Sequence, residues 1–493
     1  MSDPTAIQLP VHQALTSDML LGLKPSAPRS RTYRINQAPV NQSIFQPGQV
    51  VIIELPTGRR GTWLDQSQSY LKFSVQVGTT AACAVGGTGV YIDNSAYSFI
   101  NRLDIYNSSN LLETQLNYGE MANLFLDLSL TQSDKAGLSS MIGTNPTATY
   151  MNTQNAYVQY NSVTCTQTPG DRSGMSLAGT TNIATSIPYT FTLPLVSGIV
   201  GVNSSKMLPV GRLHAPIRME IYLASNDDAV YYGLGGAGCT WQLVNVEFCA
   251  CYVELQDDIE QHMPPGVPEY ISTVTHRSSS VIIPAATSGE FTTLLPFRCA
   301  SLKSIYARFR NQASAVQGAN ATAAYRLGSS VNPNFSNYYF RVGSSMCPNK
   351  PVYLNNGYIV GSGSEGYAEV LKSFHALSSS IGNTALTANM YNVLLSSAGA
   401  AVNGWAVPYG PSAKTAGALD TSNNGFCLAL ELESFCNRSD SILSGISTLN
   451  TQIYFTGNGI SGATTGASNI TMDVFVSMDM ILIIQDGIMS AKF

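Results

Sequence analysis

Charge is the scarcest property of this sequence. Asp, Glu, Lys and Arg make up 11% of its 493 residues, against roughly 25% in an ordinary soluble domain. Ser, Thr, Asn, Gln, Gly and Tyr take their place. A surface of that kind repels itself weakly, which suits a subunit that buries much of its area against copies of itself. The net charge of −5 gives no general nucleic-acid footprint. No run of about 18 apolar residues occurs, so no membrane-spanning helix is expected. The first residues lack a charged segment followed by an apolar one, so no secretory signal is expected.

Cysteine spacing is equally uninformative. The nine cysteines follow no regular pattern, so small buried thiols in a reducing compartment are expected rather than a disulfide framework. Cys249 and Cys251 would share one face of a strand without completing a metal set. The five histidines (His12, His214, His262, His276 and His375) form no paired motif of the kind zinc sites use. No G-x-S-x-G elbow occurs. Gly361-Ser-Gly363-Ser-Glu-Gly366 matches the dinucleotide-binding glycine pattern, but no acidic residue follows about 20 positions later and no βαβ alternation surrounds it. Asp227-Asp228 and Asp257-Asp258 read as turn residues rather than a hard-cation site. No catalytic residue, cofactor site or metal site is expected.

What the sequence does contain is a repeat. Tyr118-Gly119-Glu120-Met121, Phe125 and Leu128-Ser129 return as Tyr367-Ala368-Glu369-Val370, Phe374 and Leu377-Ser378. Phe191-Thr-Leu-Pro-Leu195 with Ser197-Gly-Ile199 returns as Phe426-Cys-Leu-Ala-Leu430 with Ser444-Gly-Ile446. Glu220-Ile-Tyr-Leu223 answers to Gln452-Ile-Tyr-Phe455, and Gln256-Asp257 to Gln485-Asp486. Common order with drifting spacing marks two copies of one domain. Each copy is long enough for its own core. Glu120 and Glu369 fall in the first turn of the repeated helix, where the helix dipole favours a carboxylate.

The apolar run at 50–55, which alternates poorly, reads as a buried strand, and further strands are predicted at 70–77, which alternates cleanly, 100–106, 188–195, 217–223 and 241–255 in the first copy. In the second copy strands are predicted at 281–283, 291–295, 305–310, 338–342, 357–360, 426–433, 451–456 and 472–484. Helical spacing marks 118–128, 133–141 and 367–377, and Val11, Ala14, Leu15 and Met19 could form one apolar face of a short helix in the arm. Long polar excursions span 144–185 and 378–419. The expected fold is all-β: two tandem eight-stranded jelly-roll β-sandwiches with short inserted helices. The expected divisions are an N-terminal arm (1–45), a first roll (46–256), a Pro-rich linker (257–270) and a second roll with a short tail (271–493). Lys24, Arg29, Arg31 and Arg34 cluster in the arm with no acid among them, a candidate inner contact to nucleic acid, a membrane surface or a neighbouring subunit.

Several stretches resemble double jelly-roll major capsid proteins of double-stranded DNA viruses, closest to those of virophages, Polinton-like viruses and adintoviruses. They are Tyr339-Phe-Arg-Val-Gly-Ser344 followed by Pro348 and Lys350-Pro-Val352, Leu432-Glu-Ser-Phe435 leading to Ile453-Tyr-Phe455, and the close from Phe475 to Phe493. The resemblance implies a homotrimer of pseudo-hexameric outline that tiles an icosahedral shell. It also implies neighbouring capsomers and minor capsid or penton proteins as partners, with membrane or genome contact through the arm, and a place in the virion. The competing readings are a tandem β-sandwich glycan-binding module or phage adhesin, and a β-sandwich glycosidase or lyase.

Overall fold

A computed structural model describes residues 29–79, 90–144, 174–204, 206–232, 239–255, 268–284, 287–311, 330–333, 335–354, 364–374, 420–424, 426–433, 444–460 and 469–493. The first roll has eight main strands: β1 (Ser30–Gln37), β2 (Val50–Leu55), β3 (Thr62–Thr79), β4 (Ile100–Asn107), β5 (Asn110–Leu116), β6 (Tyr189–Leu193), β7 (Ile217–Leu223) and β8 (Cys239–Leu255). They form two antiparallel sheets, β1-β8-β3-β6 and β2-β7-β4-β5.

The second roll repeats this order with β9 (Glu269–Ile283), β10 (Gly289–Leu295), β11 (Leu302–Asn311), β12 (Asn337–Val342), β13 (Ser345–Tyr353), β14 (Cys427–Glu431), β15 (Ile453–Ile460) and β16 (Ile470–Gln485). Its sheets are β9-β16-β11-β14 and β10-β15-β12-β13. Each strand of the first roll therefore has its counterpart eight strands later. The helices also correspond. After β5 comes α1 (Tyr118–Ser129), and after β13 comes α2 (Ser364–Ser373). A last strand, β17 (Ile488–Lys492), folds back on β16.

The strands form where the residues allow one face to be buried. In β7, Ile217, Met219, Ile221 and Leu223 point inward and alternate with Arg218, Glu220 and Tyr222. Each sandwich closes over an aromatic centre. In the first roll, Phe99 meets Trp241 edge-on at 4.9 Å and Phe73 at 6.1 Å. In the second, Phe455 meets Phe340 at 5.4 Å and Phe335 at 5.8 Å. The outward faces repeat as well. Arg102 stacks on Tyr222 at 4.8 Å, and Arg341 on Tyr454 at 4.8 Å. Each tyrosine hydroxyl donates to the residue two places before it, Glu220 or Gln452.

Three expectations change. The arm was expected to run to residue 45, yet Ser30–Gln37 pairs with Phe248–Leu255 as the edge of the first roll. The linker was expected to reach residue 270 and the next strand to begin at 281, yet β9 begins at Glu269. Its Thr273, Thr275 and His276 are buried although polar, so a search for apolar alternation passes over it. The helix expected over 133–141 is two short turns, Gln132–Gly137 and Ser139–Ile142. The expected strand at 357–360, Lys24, residues 145–173 and residues 378–419 lie outside the described residues.

The start of α1 is pressed against the preceding turn. A Cβ on Gly119 would stand 2.6 Å from the Tyr97 carbonyl oxygen and 2.9 Å from that of Ile100. Backbone there cannot swing aside as a side chain could. Gly119→Ala is therefore expected to cost about 1–3 kcal/mol, as overpacking does, read as a lower melting temperature.

Candidate functional site

The residues with the most unusual chemistry lie between the two rolls. The outer face of the β9-β16 sheet is covered by β5, α1 and the loop after β6. This explains why β16 is buried along almost all its length. One of its faces lines the second sandwich and the other lies under the first roll, which gives the near-continuous apolar run of a strand covered on both sides.

Near the N-terminus of α1, one guanidinium faces two carboxylates. Arg310 Nε lies 2.6 Å from Asp473 Oδ2 and 3.0 Å from Glu120 Oε2. Asp473 is also held by Ser280 Oγ and by Asn117 Nδ2 at 3.3 Å. Asn117 reaches this position in a left-handed conformation, φ 50°. Asp473 is fully buried and Glu120 nearly so. Desolvation pushes Glu120 up to about 8, Arg310 opposes the shift, and the Asp473 charge adds to it. Burial pulls the Arg310 guanidinium down, but the Glu120 and Asp473 charges outweigh it and hold it above its ordinary value. The picture is one ion pair, Arg310 with Asp473, beside a carboxyl that carries a proton at neutral pH.

Glu369 stands in the second turn of α2, whose first turn holds Glu365, whereas Glu120 stands in the first turn of α1 as expected. Its role comes from the opposite roll rather than from its own helix. Its counterpart Glu369 instead pairs with Lys372 at 2.8 Å on the surface of α2.

A second carboxyl sits further along β5. Glu113 accepts from Ser197 Oγ, from Thr275 Oγ1, from Gly198 N at 3.2 Å and from Gln115 Nε2 at 2.9 Å. Complete burial raises its pKa against those four donors. Thr275 belongs to the second roll, so this network also crosses the seam.

His276 is the third group. Ser477 Oγ lies 2.9 Å from Nδ1, and Asn203 Nδ2 lies 2.9 Å from Nε2. The amide donates to Nε2, which assigns the proton to Nδ1 and leaves the ring neutral. Burial pushes its pKa down to about 3. The Phe125 ring lies 4.7 Å from the imidazole.

Phe125 also meets Phe374 at 5.7 Å, and both contact Tyr306. These two phenylalanines are the same position of the repeated string. The two copies of the motif touch each other across the seam. At the far end, the β16–β17 hairpin clasps the first roll. Met489 N donates to Asn107 Oδ1 at 2.9 Å, and His214 N to Gly487 O at 2.9 Å. Arg212 pairs with Glu269 beside it.

The basic residues expected in the arm are distributed differently. Arg29 is exposed just before β1. Arg31 stands over the Tyr33 ring at 5.8 Å, and Arg34 Nη1 donates to the Tyr70 hydroxyl at 2.8 Å. They are strung along a paired edge strand. Among the described residues no group of three or more His, Cys, Asp or Glu side chains could hold a metal ion. Asp228 is engaged by Ser225 Oγ at 2.6 Å in a short helical turn. The seam residues were beyond sequence reasoning because their partners lie 57 to 382 positions away; the buried polar strand β9 was the one available signal.

Two outcomes follow. Arg310→Met leaves Asp473 buried without its cation and is expected to cost about 3–5 kcal/mol, measured by denaturant unfolding. For pH, Glu120 binds its proton more tightly when folded than when unfolded. Its contribution is complete below the ordinary carboxylate range and is lost as pH rises through about 8. His276 has the opposite sign, with stability lost as pH falls below its ordinary value toward about 3. Between the ordinary carboxylate and imidazole values the two slopes oppose each other, so thermal melts should decline above that interval up to about pH 8 and below it toward about 3, and Glu120→Gln should flatten the alkaline limb while uncovering the His276 slope on the acid side. An unchanged alkaline limb in that variant would refute the assignment.

No protein-family model matches the chain, and no curated protein does. Solved structures match it over nearly its whole length. A chain of the Sputnik virophage structure is 12% identical with a TM-score of 0.56, covering 99% of this chain and 94% of that one. The Faustovirus major capsid protein is 9% identical with a TM-score of 0.55, covering 98% and 95%. The mavirus major capsid protein is 10% identical with a TM-score of 0.52, covering 99% and 95%. At these identities the likeness concerns architecture: the chain is a double jelly roll of the kind found in viral major capsid proteins.

Proposed function

We propose that this chain is a structural major capsid protein, the repeated block of an icosahedral viral shell. The observation that carries the reading is the seam. Two equivalent rolls are fixed to each other by buried polar networks, so the chain is one rigid unit with two similar outward surfaces. Rigid, low-charge blocks with repeated surfaces are what symmetric assembly needs. The end-to-end likeness to major capsid proteins of virophages and Faustovirus supports the same reading.

In this reading three chains form a pseudo-hexameric capsomer. Neighbouring capsomers and minor capsid or penton proteins are its further partners, and the virion, assembled inside the host cell, is its location. Lys24 and Arg29, which precede β1, serve as the inner contact to genome or membrane, whereas Arg31 and Arg34 belong to the roll itself. No reaction is assigned to the chain. Size-exclusion chromatography with light scattering is the direct check. The mass of a trimer or larger assembly is expected at micromolar concentration, and a strict monomer at every concentration would sink the proposal.

A further inference from the structure

At the α1 end of the seam, buried charge balances without Glu120. The charged groups acting on this site are Arg308 and Arg310 of β11, Asp473 of β16 and Asp228 of the helical turn Asn226–Ala229. Among the described side chains, two cations meet two carboxylates there. Ser280 of β9 and Asn117 at the helix start are neutral donors to Asp473. Beneath α1, the Tyr97 hydroxyl donates to the Pro194 carbonyl at 2.6 Å. Two turns along the helix, Asp127 is paired with Lys135 at 2.5 Å. An ionised Glu120 would therefore set a third carboxylate against two guanidinium groups.

Hydrogen bonding favours the neutral form as well. Glu120 is 2% exposed, and among the described residues neither of its oxygens accepts a hydrogen bond. The Arg310 Nε–H donates to Asp473, so the 3.0 Å approach of Nε to Glu120 Oε2 is a contact without that proton. The protonated carboxyl can itself donate to Asp473. A buried anion with neither a donor nor a spare cation is costly.

The helix cannot relieve that cost by moving alone. Gly119 presses α1 onto its own roll at the Tyr97 and Ile100 carbonyls. Parting of the rolls, by contrast, breaks few bonds. Arg310, Asp473 and Ser280 all belong to the second roll and stay together. Glu113 keeps Ser197, Gly198 and Gln115 and loses only Thr275. His276 keeps Ser477 and loses Asn203. The clasp at the far end is made through main-chain N–H groups, from Met489 to Asn107 Oδ1 and from His214 to the Gly487 carbonyl. Neither bond changes when a carboxyl loses its proton.

We propose that ionisation of Glu120 releases the α1 end of the seam, so that the two folded rolls part there while the β16–β17 hairpin holds them as a hinge. Linkage fixes the direction. Parting returns Glu120 to water, where its pKa is ordinary, from a closed site in which burial pushes it up to about 8. The closed seam is favoured fully below the ordinary carboxylate range and loses that advantage as pH rises through about 8. Between about pH 6 and about pH 9.5 the opening equilibrium shifts by roughly a hundredfold. The device belongs to the single chain and stands whether or not the chain builds a shell.

Hydroxyl-radical footprinting of the full chain reads the seam and the cores separately. Tyr306 and His276, which both meet Phe125 across the seam, report on opening. Tyr338 and Phe73, buried inside the second and first sandwiches, report on unfolding. At about pH 9.5, labelling of Tyr306 and His276 is expected to be about tenfold or more faster in wild type than in Glu120→Gln, a rise within what linkage allows. Tyr338 and Phe73 should label alike in both, and at about pH 6 the seam contrast should shrink. Comparison at one pH cancels the chemistry of labelling itself. Glutamine copies the protonated carboxyl, so Glu120→Gln is expected to fold and stay closed. Asp473→Asn removes one of the competing carboxylates, so an ionised Glu120 then completes the balance and this variant should stay closed too. Equal seam labelling in wild type and Glu120→Gln at about pH 9.5 overturns the proposal. So does core labelling that rises in step with the seam, or an Asp473→Asn chain that opens as wild type does.

Discussion

The structure depends on how two rolls with the same architecture are held in one orientation. The decisive contact is the Arg310 guanidinium, which β11 of the second roll places against Asp473 of its own sheet and Glu120 of the opposite helix. A buried ion pair of this kind adds little net stability, because desolvation offsets most of the attraction. Its effect is on geometry. Any relative shift of the rolls would strand Asp473, Glu113 or His276 away from its partners in a buried site, and such loss costs more than the pair contributes. Apolar packing from Phe125, Phe374 and Tyr306 supplies attraction over the same surface, and the polar groups select one registry for it.

This division of labour explains why the two copies have diverged where they have. Strand order, the edge-on aromatic centres and the Arg–Tyr stacks on the outer faces persist in both rolls. Among the positions that differ are some in which one roll has a neighbour inside the chain and the other does not. Met478 and Met480 fill the seam in β16, where β8 has Cys249 and Cys251. Glu120 is buried against a partner roll, and Glu369 is tied to Lys372 on a helix surface. Duplication supplied the fold twice, and these seam residues differ from their counterparts in keeping with what covers them.

Much of this was legible in the sequence. The repeated Tyr-x-Glu string, the apolar run Val50–Leu55, the alternation in Ile217–Leu223 and the near-continuous apolar run of β16 each report burial that follows from local pattern. What was not legible shares one cause. Strand β9 is polar because its outer face meets hydrogen-bonding groups rather than apolar ones, so its burial leaves no hydrophobic period. Strand β1 is basic and half-exposed, and only its partner β8 makes it a strand. Glu120 sat in the place where a helix dipole accounts for a carboxylate, and nothing local announced Arg310, far along the chain in the other roll. The repeat signalled that two domains exist; that Phe125 and Phe374 touch is a fact of tertiary structure alone.

The central claim is that the two rolls act as one rigid block built for symmetric self-assembly. Cryo-electron microscopy of the purified full chain tests it most directly. The account predicts symmetric assemblies in which every chain shows both rolls at one fixed mutual orientation, with the β16–β17 hairpin clasping the first roll. Isolated chains whose two rolls take many relative orientations would contradict it.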